Sequence, residues 1–459
     1  MRVLLVQTPS VEVYSEEKVY PIGIVVLAGQ LRSLGYDVRI LDMNLDPEPF
    51  GRLRKQLLDF HPDVVGLSLR NIDPLGNKTS SLMPQFIAAV KLVAALLPDA
   101  WLIVGGTGFS LFPERILLEV PELDYGIVGE AERSFPALLR SLENPSGIPG
   151  LCYRELGGVR VLAPDRSIDM LEYSIPDRKL WEPSSYLEIN SYVPAIGVEA
   201  KRGCPYSCAY CVYPQLQGKR LRCRSPVAVV NEIEYLHKEF GVQRFHFTDP
   251  VLNIPEGYLE EICKEILRRK LEVRWNGFFR EDQLNAENIA LFETAGCECF
   301  SFSPDGLSQK ALDVLRKGLT EADILRAAEL ASRREAISVY HFMVNVPGET
   351  EETVKRGLEM LERIYELHAR KRNLGTVVLN NIRILPGTEI ERIARAEGVI
   401  SPDTDLLYPV YYNPRPFETL RYQLEAFSLC RNVFMWGGIG VYYESAVAGT
   451  PKKDCSREV

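Results

Sequence analysis

Hydrophobic and polar positions alternate along this chain in two stretches that follow one rule. Val3 to Gln7 is an apolar run of strand length, and an apolar-periodic stretch from about Ile22 to Leu34 reads as a helix terminated by Gly35. Asp37 to Leu41 and Val64 to Leu69 read as strands, Leu82 to Leu97 as a helix, and Trp101 to Val104 and Tyr125 to Val128 as two more strands. The pattern resumes with extended runs at Arg244 to Thr248, Leu271 to Trp275, Cys299 to Ser303, Ile337 to Val346 and Thr376 to Arg383. Between and around them lie helix-like stretches at Ala228 to Glu239, Glu256 to Arg269, Ala286 to Thr294, Ser308 to Leu315, Glu321 to Arg333 and Glu351 to His368. Such alternation predicts parallel sheets covered by helices, with ligands at the carboxyl ends of the strands.

The expected organisation is α/β. Residues 1–148 read as a Rossmann-like, doubly wound domain. A connector follows over 149–195, where Pro149-Gly150, Gly157-Gly158, Pro164, Pro176 and Pro183 break regular structure. The second alternating region covers 196–385 and a small C-terminal domain 386–459. In that tail Pro386-Gly387-Thr388-Glu389 opens a helix to Glu397, followed by Tyr408, Tyr411, Tyr412 and Phe417, aromatics that either line a substrate pocket or simply pack.

Composition narrows the class without naming a chemistry. The 459 residues carry 53 Lys+Arg against 62 Asp+Glu, a net charge of −9, and 46% are hydrophobic, which excludes disordered, collagenous and disulfide-stapled chains. The acidic balance gives no general attraction for nucleic acid. The N-terminal apolar run is too short for a signal peptide, and no stretch of about eighteen apolar residues suggests a membrane span. The expected setting is a reducing cytoplasm, where closely spaced cysteines are more often metal ligands or catalytic thiols than disulfides.

Ten cysteines then divide unequally. Cys152, Cys223, Cys263, Cys297, Cys299, Cys430 and Cys455 are scattered and read as inert thiols. The other three stand together in Lys201-Arg202-Gly203-Cys204-Pro205-Tyr206-Ser207-Cys208-Ala209-Tyr210-Cys211. A Gly/Pro loop lets three thiolates converge on one inorganic centre. Zinc usually takes paired ligands, and no second pair follows at suitable spacing, so a cluster with three protein ligands fits better, a zinc knuckle being the alternative.

Cys-x3-Cys-x2-Cys with an aromatic just before the last cysteine resembles the radical SAM superfamily. The resemblance implies that Cys204, Cys208 and Cys211 hold a [4Fe–4S] cluster whose open iron binds S-adenosylmethionine (SAM), with Tyr210 near the adenine and part of the catalytic site. It implies a partial (β/α)6 barrel over roughly 196–385, with SAM contacts at the strand ends. Asp249, in Phe247-Thr248-Asp249-Pro250, is expected at the methionine part of SAM, and Arg280, closing Trp275-Asn276-Gly277-Phe278-Phe279-Arg280, at its carboxylate. Ser303 and Asp305 are expected at the ribose hydroxyls. Val346-Pro347-Gly348-Glu349-Thr350 resembles the family's Pro-Gly-Glu-Thr turn, or is an ordinary helix start capped by Thr350. The alternative for Asp249 and Arg280 is a structural ion pair.

A dinucleotide site would place Gly-x-Gly-x-x-Gly after the first strand, where Gln7-Thr8-Pro9-Ser10 stands instead. Tyr20-Pro21-Ile22-Gly23, Val65-Gly66-Leu67-Ser68-Leu69-Arg70, Val104-Gly105-Gly106-Thr107 and Val128-Gly129-Glu130-Ala131-Glu132 resemble the cobalamin-binding domain that precedes the barrel in one radical SAM subfamily. That resemblance implies cobalamin contacts from Thr8 and Pro9, from Ser68, Leu69 and Arg70, from Gly105, Gly106 and Thr107, and from Gly129 and Glu130. The Asp-x-His-x-x-Gly motif is missing and the domain's one histidine, His61, precedes the third strand, so base-off cobalamin without a histidine ligand is expected. Arg70 is expected beneath the corrin as a catalytic residue, or else as a surface or phosphate-binding arginine.

The function implied is that of a cobalamin-dependent radical SAM enzyme, most simply a C-methyltransferase acting on a small molecule or peptide, with a flavodoxin or ferredoxin as electron donor. The alternatives are a cyclisation or rearrangement enzyme of the same subfamily, a radical SAM enzyme whose first domain no longer binds cobalamin, or a non-catalytic cobalamin sensor or iron–sulfur carrier.

Overall fold

A computed structural model of the protein describes all residues except 11–17, 75–79, 167–176, 188–192, 413–432 and 436–459. Phe417, Cys430, Cys455 and Pro176 therefore lie outside the described residues. Two compact units are formed, the first from Met1–Pro74, Ser80–Gly203 and Gln215–His246, the second from Cys204–Pro214 and the described residues from Phe247 onward.

The first unit is built on a seven-stranded sheet of β1 (Arg2–Gln7), β2 (Asp37–Asp42), β3 (Val64–Ser68), β4 (Trp101–Gly105), β5 (Tyr125–Ile127), β6 (Leu151–Glu155) and β7 (Gly158–Val161). Its order is β2-β1-β3-β4-β5-β6-β7, parallel through β5 and antiparallel beyond. Helices α1 (Ile22–Ser33), α2 (Pro49–Phe60), α3 (Met83–Leu96), α4 (Thr107–Leu111), α5 (Pro113–Glu119) and α6 (Ala131–Leu139) connect the strands. The central strand β1 carries Val3, Leu4, Leu5 and Val6 as one continuous buried run, as a strand covered on both faces must. The order 2-1-3-4-5 is the flavodoxin variant of the doubly wound sheet, whose ligand crevice opens between the carboxyl ends of β1 and β3. Thr8 and Ser68-Leu69-Arg70 sit at those ends.

Two features of this unit depart from the sequence pattern. Helix α2 was not anticipated, although Leu53, Leu57 and Phe60 recur at helical spacing and are all buried. The stretch assigned to a connector begins with the β6–β7 hairpin, and Gly157-Gly158 belongs to its turn rather than to a break. Burying the apolar side of Leu151 and Cys152 against the sheet outweighs the local glycine signal. The unit continues through β8 (Gly197–Val198), β9 (Lys201–Arg202), helix α7 (Tyr213–Gln217), β10 (Arg222–Cys223), α8 (Pro226–Phe240) and β11 (Arg244–Phe247). Ser225 caps α8, its hydroxyl accepting from the Ala228 amide.

The second unit repeats strand and helix. In chain order it contains α9 (Tyr258–Arg268), β12 (Arg274–Phe279), α10 (Ala286–Thr294), β13 (Cys297–Asp305), α11 (Gln309–Val314), α12 (Glu321–Ser332), β14 (Ile337–Val344), α13 (Glu351–Ala369), β15 (Leu374–Arg383), α14 (Glu389–Ala396), β16 (Tyr411–Tyr412) and β17 (Val433–Met435). Strands β12 to β15 are parallel neighbours in sequence order, the expected βαβ architecture. Strand β12 begins later than the apolar pattern predicts because its aromatics do the packing. Phe279 meets Phe300 at 5.1 Å between ring centroids, and Phe302 stacks on Tyr340 at 5.1 Å. Thr350 caps α13 in a capping box with Thr353, with Glu351 and Glu352 in the first turn, so this part of the Pro-Gly-Glu-Thr segment does act as a helix start. Tyr412 is buried and donates its hydroxyl to Glu397, a packing role for one tail aromatic. Among the described residues no helix is long and apolar enough to cross a membrane.

Candidate cofactor sites

The first site lies at the carboxyl ends of β1, β3 and β4, which hydrogen bonds draw together. Thr8 donates both its amide and its hydroxyl to the Ser68 carbonyl, the hydroxyl at 2.8 Å. Leu69 donates its amide to Gly105, Gly108 donates to Leu69 and Arg70, and the Thr107 hydroxyl donates to the Arg70 carbonyl at 2.6 Å. Gly106 has φ +101°, and a Cβ there would stand 2.6 Å from the Leu69 carbonyl oxygen. No L side chain fits, and the two loops close to backbone contact. Thr8, Ser68, Leu69, Arg70, Gly105, Gly106 and Thr107 are thus drawn into one rim, with Pro9 following Thr8 in the chain.

Behind the rim stands a polar brace that sequence reasoning did not find. The Asp42 carboxylate, ending β2, accepts from Tyr186 at 2.6 Å and from the Asn44 amide, and Trp181 donates to Tyr186 at 2.8 Å. Burial raises the Asp42 carboxyl above its ordinary range, while Tyr186, Asn44 and the charge of Arg70 oppose the rise. His61 terminates α2 ahead of β3, at the opposite end of the sheet. Gly129 donates its amide to Ser110 at 3.0 Å. Glu130, expected as a cofactor contact, is instead held by both Nη atoms of Arg222 and by Arg202, which also pairs with Glu132 and Glu199. Its carboxylate is committed within the protein.

The second site is the cysteine loop of the second unit. Cys204 is buried, Cys208 and Cys211 half-buried, and none of the three is in a disulfide. Cys211 donates its amide to the Cys208 carbonyl at 3.1 Å, a tight turn between the last two ligands. Among the described residues no three His, Cys, Asp or Glu gather closely enough for a single ion. A cubane takes each thiolate on a different iron and needs only three from one loop, so these cysteines suit a cluster better than a zinc with four protein ligands. Burial pushes the Cys211 thiol up to about 12 and the neighbouring thiols add to it; Cys208 is raised by burial and partly relieved by Lys317. Binding iron would displace those protons.

The strand-end residues surround this loop in ways the motifs did not disclose. Tyr210 is half-buried and donates its hydroxyl to the Asp305 carboxylate, which also takes the Lys317 ammonium at 2.6 Å. Asp305 and Tyr210, expected at the ribose and adenine, are bound to each other. Arg280 donates from Nη1 and Nη2 to the Lys317 and Gly318 carbonyls, each at 2.9 Å, and its Nε stands 2.9 Å from Asp282. Its guanidinium carbon lies 3.9 Å from the centroid of the Tyr206 ring. The ion-pair alternative therefore holds with Asp282 in place of Asp249, and the Arg280 fork is occupied by main-chain carbonyls rather than open to a carboxylate. Asp249 is buried just after β11, and Ser303 is half-buried on β13. Glu281, fully buried, is pushed to about 7 by desolvation. Lys317, Asp282 and Tyr206 escaped the sequence reading because nothing local marks a basic residue in a turn as belonging to a loop about a hundred residues earlier.

A flavodoxin-type sheet with a backbone-lined rim, followed by a parallel βαβ sheet bearing a three-cysteine loop, defines a two-cofactor protein. Residues 12–139 match the family model of the B12 binding domain, and residues 198–361 that of the radical SAM superfamily. The chain belongs to the cobalamin-dependent radical SAM enzymes. It is 27% identical to an uncharacterized methyltransferase of Pyrococcus horikoshii over 75% of this chain and 73% of that one. It is 28% identical to the anaerobic magnesium-protoporphyrin IX monomethyl ester cyclase of Rubrivivax gelatinosus, over 74% of this chain and 61% of the cyclase. Its fold is similar to that of the radical SAM methyltransferase TsrM from Kitasatospora setae with tryptophan and a SAM analogue bound, at TM-score 0.77 and 22% identity over 96% of this chain and 92% of TsrM.

Proposed function

We propose that the protein transfers a methyl group from SAM, by way of cobalamin, to an unactivated carbon of a small molecule or peptide. The observation that carries this reading is the coexistence in one chain of the Cys204–Cys208–Cys211 loop and the Thr8–Ser68–Gly105 rim. Bound at these sites, the cluster with SAM supplies radical chemistry and cobalamin supplies a transferable methyl group. The chain's own part is to hold and orient. Cys204, Cys208 and Cys211 would hold the cluster; Gly105, Gly106 and Thr107 would bed the cobalamin tail; and Arg70 would place its positive charge beside the corrin. His61 stands at the far end of the sheet, so this domain would hold cobalamin in its base-off form without a histidine from His61.

In this reading residues 1–148, with the appended 151–161 hairpin, bind cobalamin; the rest of 149–195 connects; 196–385 form the partial barrel; and a small C-terminal domain begins at 386. Asp249 and Ser303 contact SAM. A flavodoxin or ferredoxin supplies electrons in the cytoplasm. Cyclisation stays a second reading because a cyclase is as similar to this chain as the methyltransferase is.

Anaerobic reconstitution with iron, sulfide and hydroxocobalamin tests the proposal. Stoichiometric corrinoid retained through gel filtration, with S-adenosylhomocysteine and 5′-deoxyadenosine released from SAM, is the expected result. Corrinoid loss together with the absence of both products would overturn it, and the Arg70→Lys variant should alter the corrinoid spectrum.

A further inference from the structure

We propose that the Lys317 ammonium is the protein charge that tunes the reduction potential of the iron–sulfur cluster, with Asp305 and Arg280 as its positioning residues. The inference rests on the cluster proposed above for Cys204, Cys208 and Cys211, and it adds a residue that no cysteine motif identifies.

The geometry begins with the turn that follows α11. Arg316 has φ +52°, a left-handed backbone that reverses the chain just before Lys317. This turn is tied to the cysteine loop at two points. The Ala209 amide, between Cys208 and Tyr210, donates to the Leu315 carbonyl at 2.8 Å. Arg280 grips the Lys317 and Gly318 carbonyls with its two Nη atoms while its guanidinium stacks on Tyr206, between Cys204 and Cys208. The loop and the turn therefore move as one body, and a charge carried by the turn keeps a set distance from the loop.

That charge is held over the loop. The Lys317 side chain is 12% exposed; its Nζ lies 2.6 Å from Asp305 Oδ2 and 3.4 Å from the hydroxyl of Tyr210, the residue before Cys211. Burial alone would favour the neutral amine, but Asp305, the Cys208 thiol and Glu281 outweigh it and keep the group cationic. Asp305 fixes the ammonium without cancelling its effect at the loop: of the two opposed charges, that of Lys317 acts the more strongly on Cys208.

A cation beside a cluster makes adding an electron easier, because each added electron deepens a negative charge in a low-dielectric surrounding. In the step concerned the cluster gains one electron from a low-potential donor such as dithionite, the donor is oxidised, and no bond forms or breaks. Removing the cation also leaves the Asp305 carboxylate unopposed, so both effects act in the same direction.

The test is a redox titration of the reconstituted full chain, without SAM, followed by electron paramagnetic resonance, with iron and sulfide content measured in parallel. Lys317→Met should lower the reduced-to-oxidised ratio at a fixed potential at least tenfold, a shift of about 59 mV to more negative values for one electron. Lys317→Arg should restore the parent potential, and Asp305→Asn should move it the other way. An unchanged potential in a fully loaded Lys317→Met protein would overturn the inference. If that variant fails to assemble a cluster, the Asp305→Asn titration decides, and an unmoved potential there overturns it equally. A parent chain that assembles no cluster would instead defeat the cluster assignment, an outcome the iron and sulfide content identifies directly.

Discussion

Arg178 and Glu232 form an ion pair in which neither side chain is exposed, with Arg178 Nη2 donating to Glu232 Oε1 at 2.6 Å. The second carboxylate oxygen accepts from Arg224 at 2.6 Å, and the Arg178 guanidinium lies 4.6 Å from the centroid of the Tyr20 ring. One anion thus serves two buried cations. Glu232→Gln keeps the shape and removes the charge both arginines depend on. It should destabilise the first unit by about 3–5 kcal/mol, read as a lower urea midpoint, and a loss below about 1 kcal/mol would show that water reaches the site.

Glu349, in the turn before α13, gives a pH dependence of definite sign. Its carboxyl accepts from the Val346 amide at 3.2 Å, yet burial pushes it from the ordinary 4.5 up to about 7. Between those values the folded chain holds a proton that the unfolded chain has released, so this group's contribution to stability falls as pH rises and levels off above about 7. Relative to the parent, Glu349→Gln should gain stability across that window, on the order of 3 kcal/mol in total. Thermal melts at several pH values check it; parallel curves for the two proteins would refute it.

Gly106 offers a test of the cobalamin rim that does not require a substrate. An alanine at φ +101° brings Cβ within 2.6 Å of the Leu69 carbonyl oxygen, forcing the loops after β3 and β4 apart. Gly106→Ala should therefore release corrinoid on gel filtration and cost about 1–3 kcal/mol of stability. Parent-level retention would place the corrin elsewhere.

Cys208→Ala separates the two sites. It should abolish cluster assembly, seen as lost iron and a missing visible charge-transfer band, while corrinoid retention stays at the parent level. Iron content equal to the parent's would remove the loop from metal binding.

The boundaries of the helices and parallel strands were largely legible because each rests on local periodicity, and α10 was read to the residue as Ala286–Thr294. The cysteine loop was legible for the same reason, since eight consecutive positions contain the whole donor set. The β6–β7 hairpin was misread because Gly157-Gly158 carries the same local signal in a turn as in a linker. The partners of Arg280 were not legible, because the carbonyls of Lys317 and Gly318 lie 37 and 38 residues away and have no side-chain signature at all.

The sequence by itself determined the architecture and brought the three candidate cysteine donors into view, because periodicity, spacing and residue type are properties of neighbouring positions. Tertiary structure decided which charges face those donors. Asp305, Lys317 and Tyr210 meet across 95 and 107 residues, and Glu130 is claimed by an arginine 92 residues away. Electrostatic partnership depends on distance in space and on excluded water, and neither is written in the order of the residues until the chain has folded.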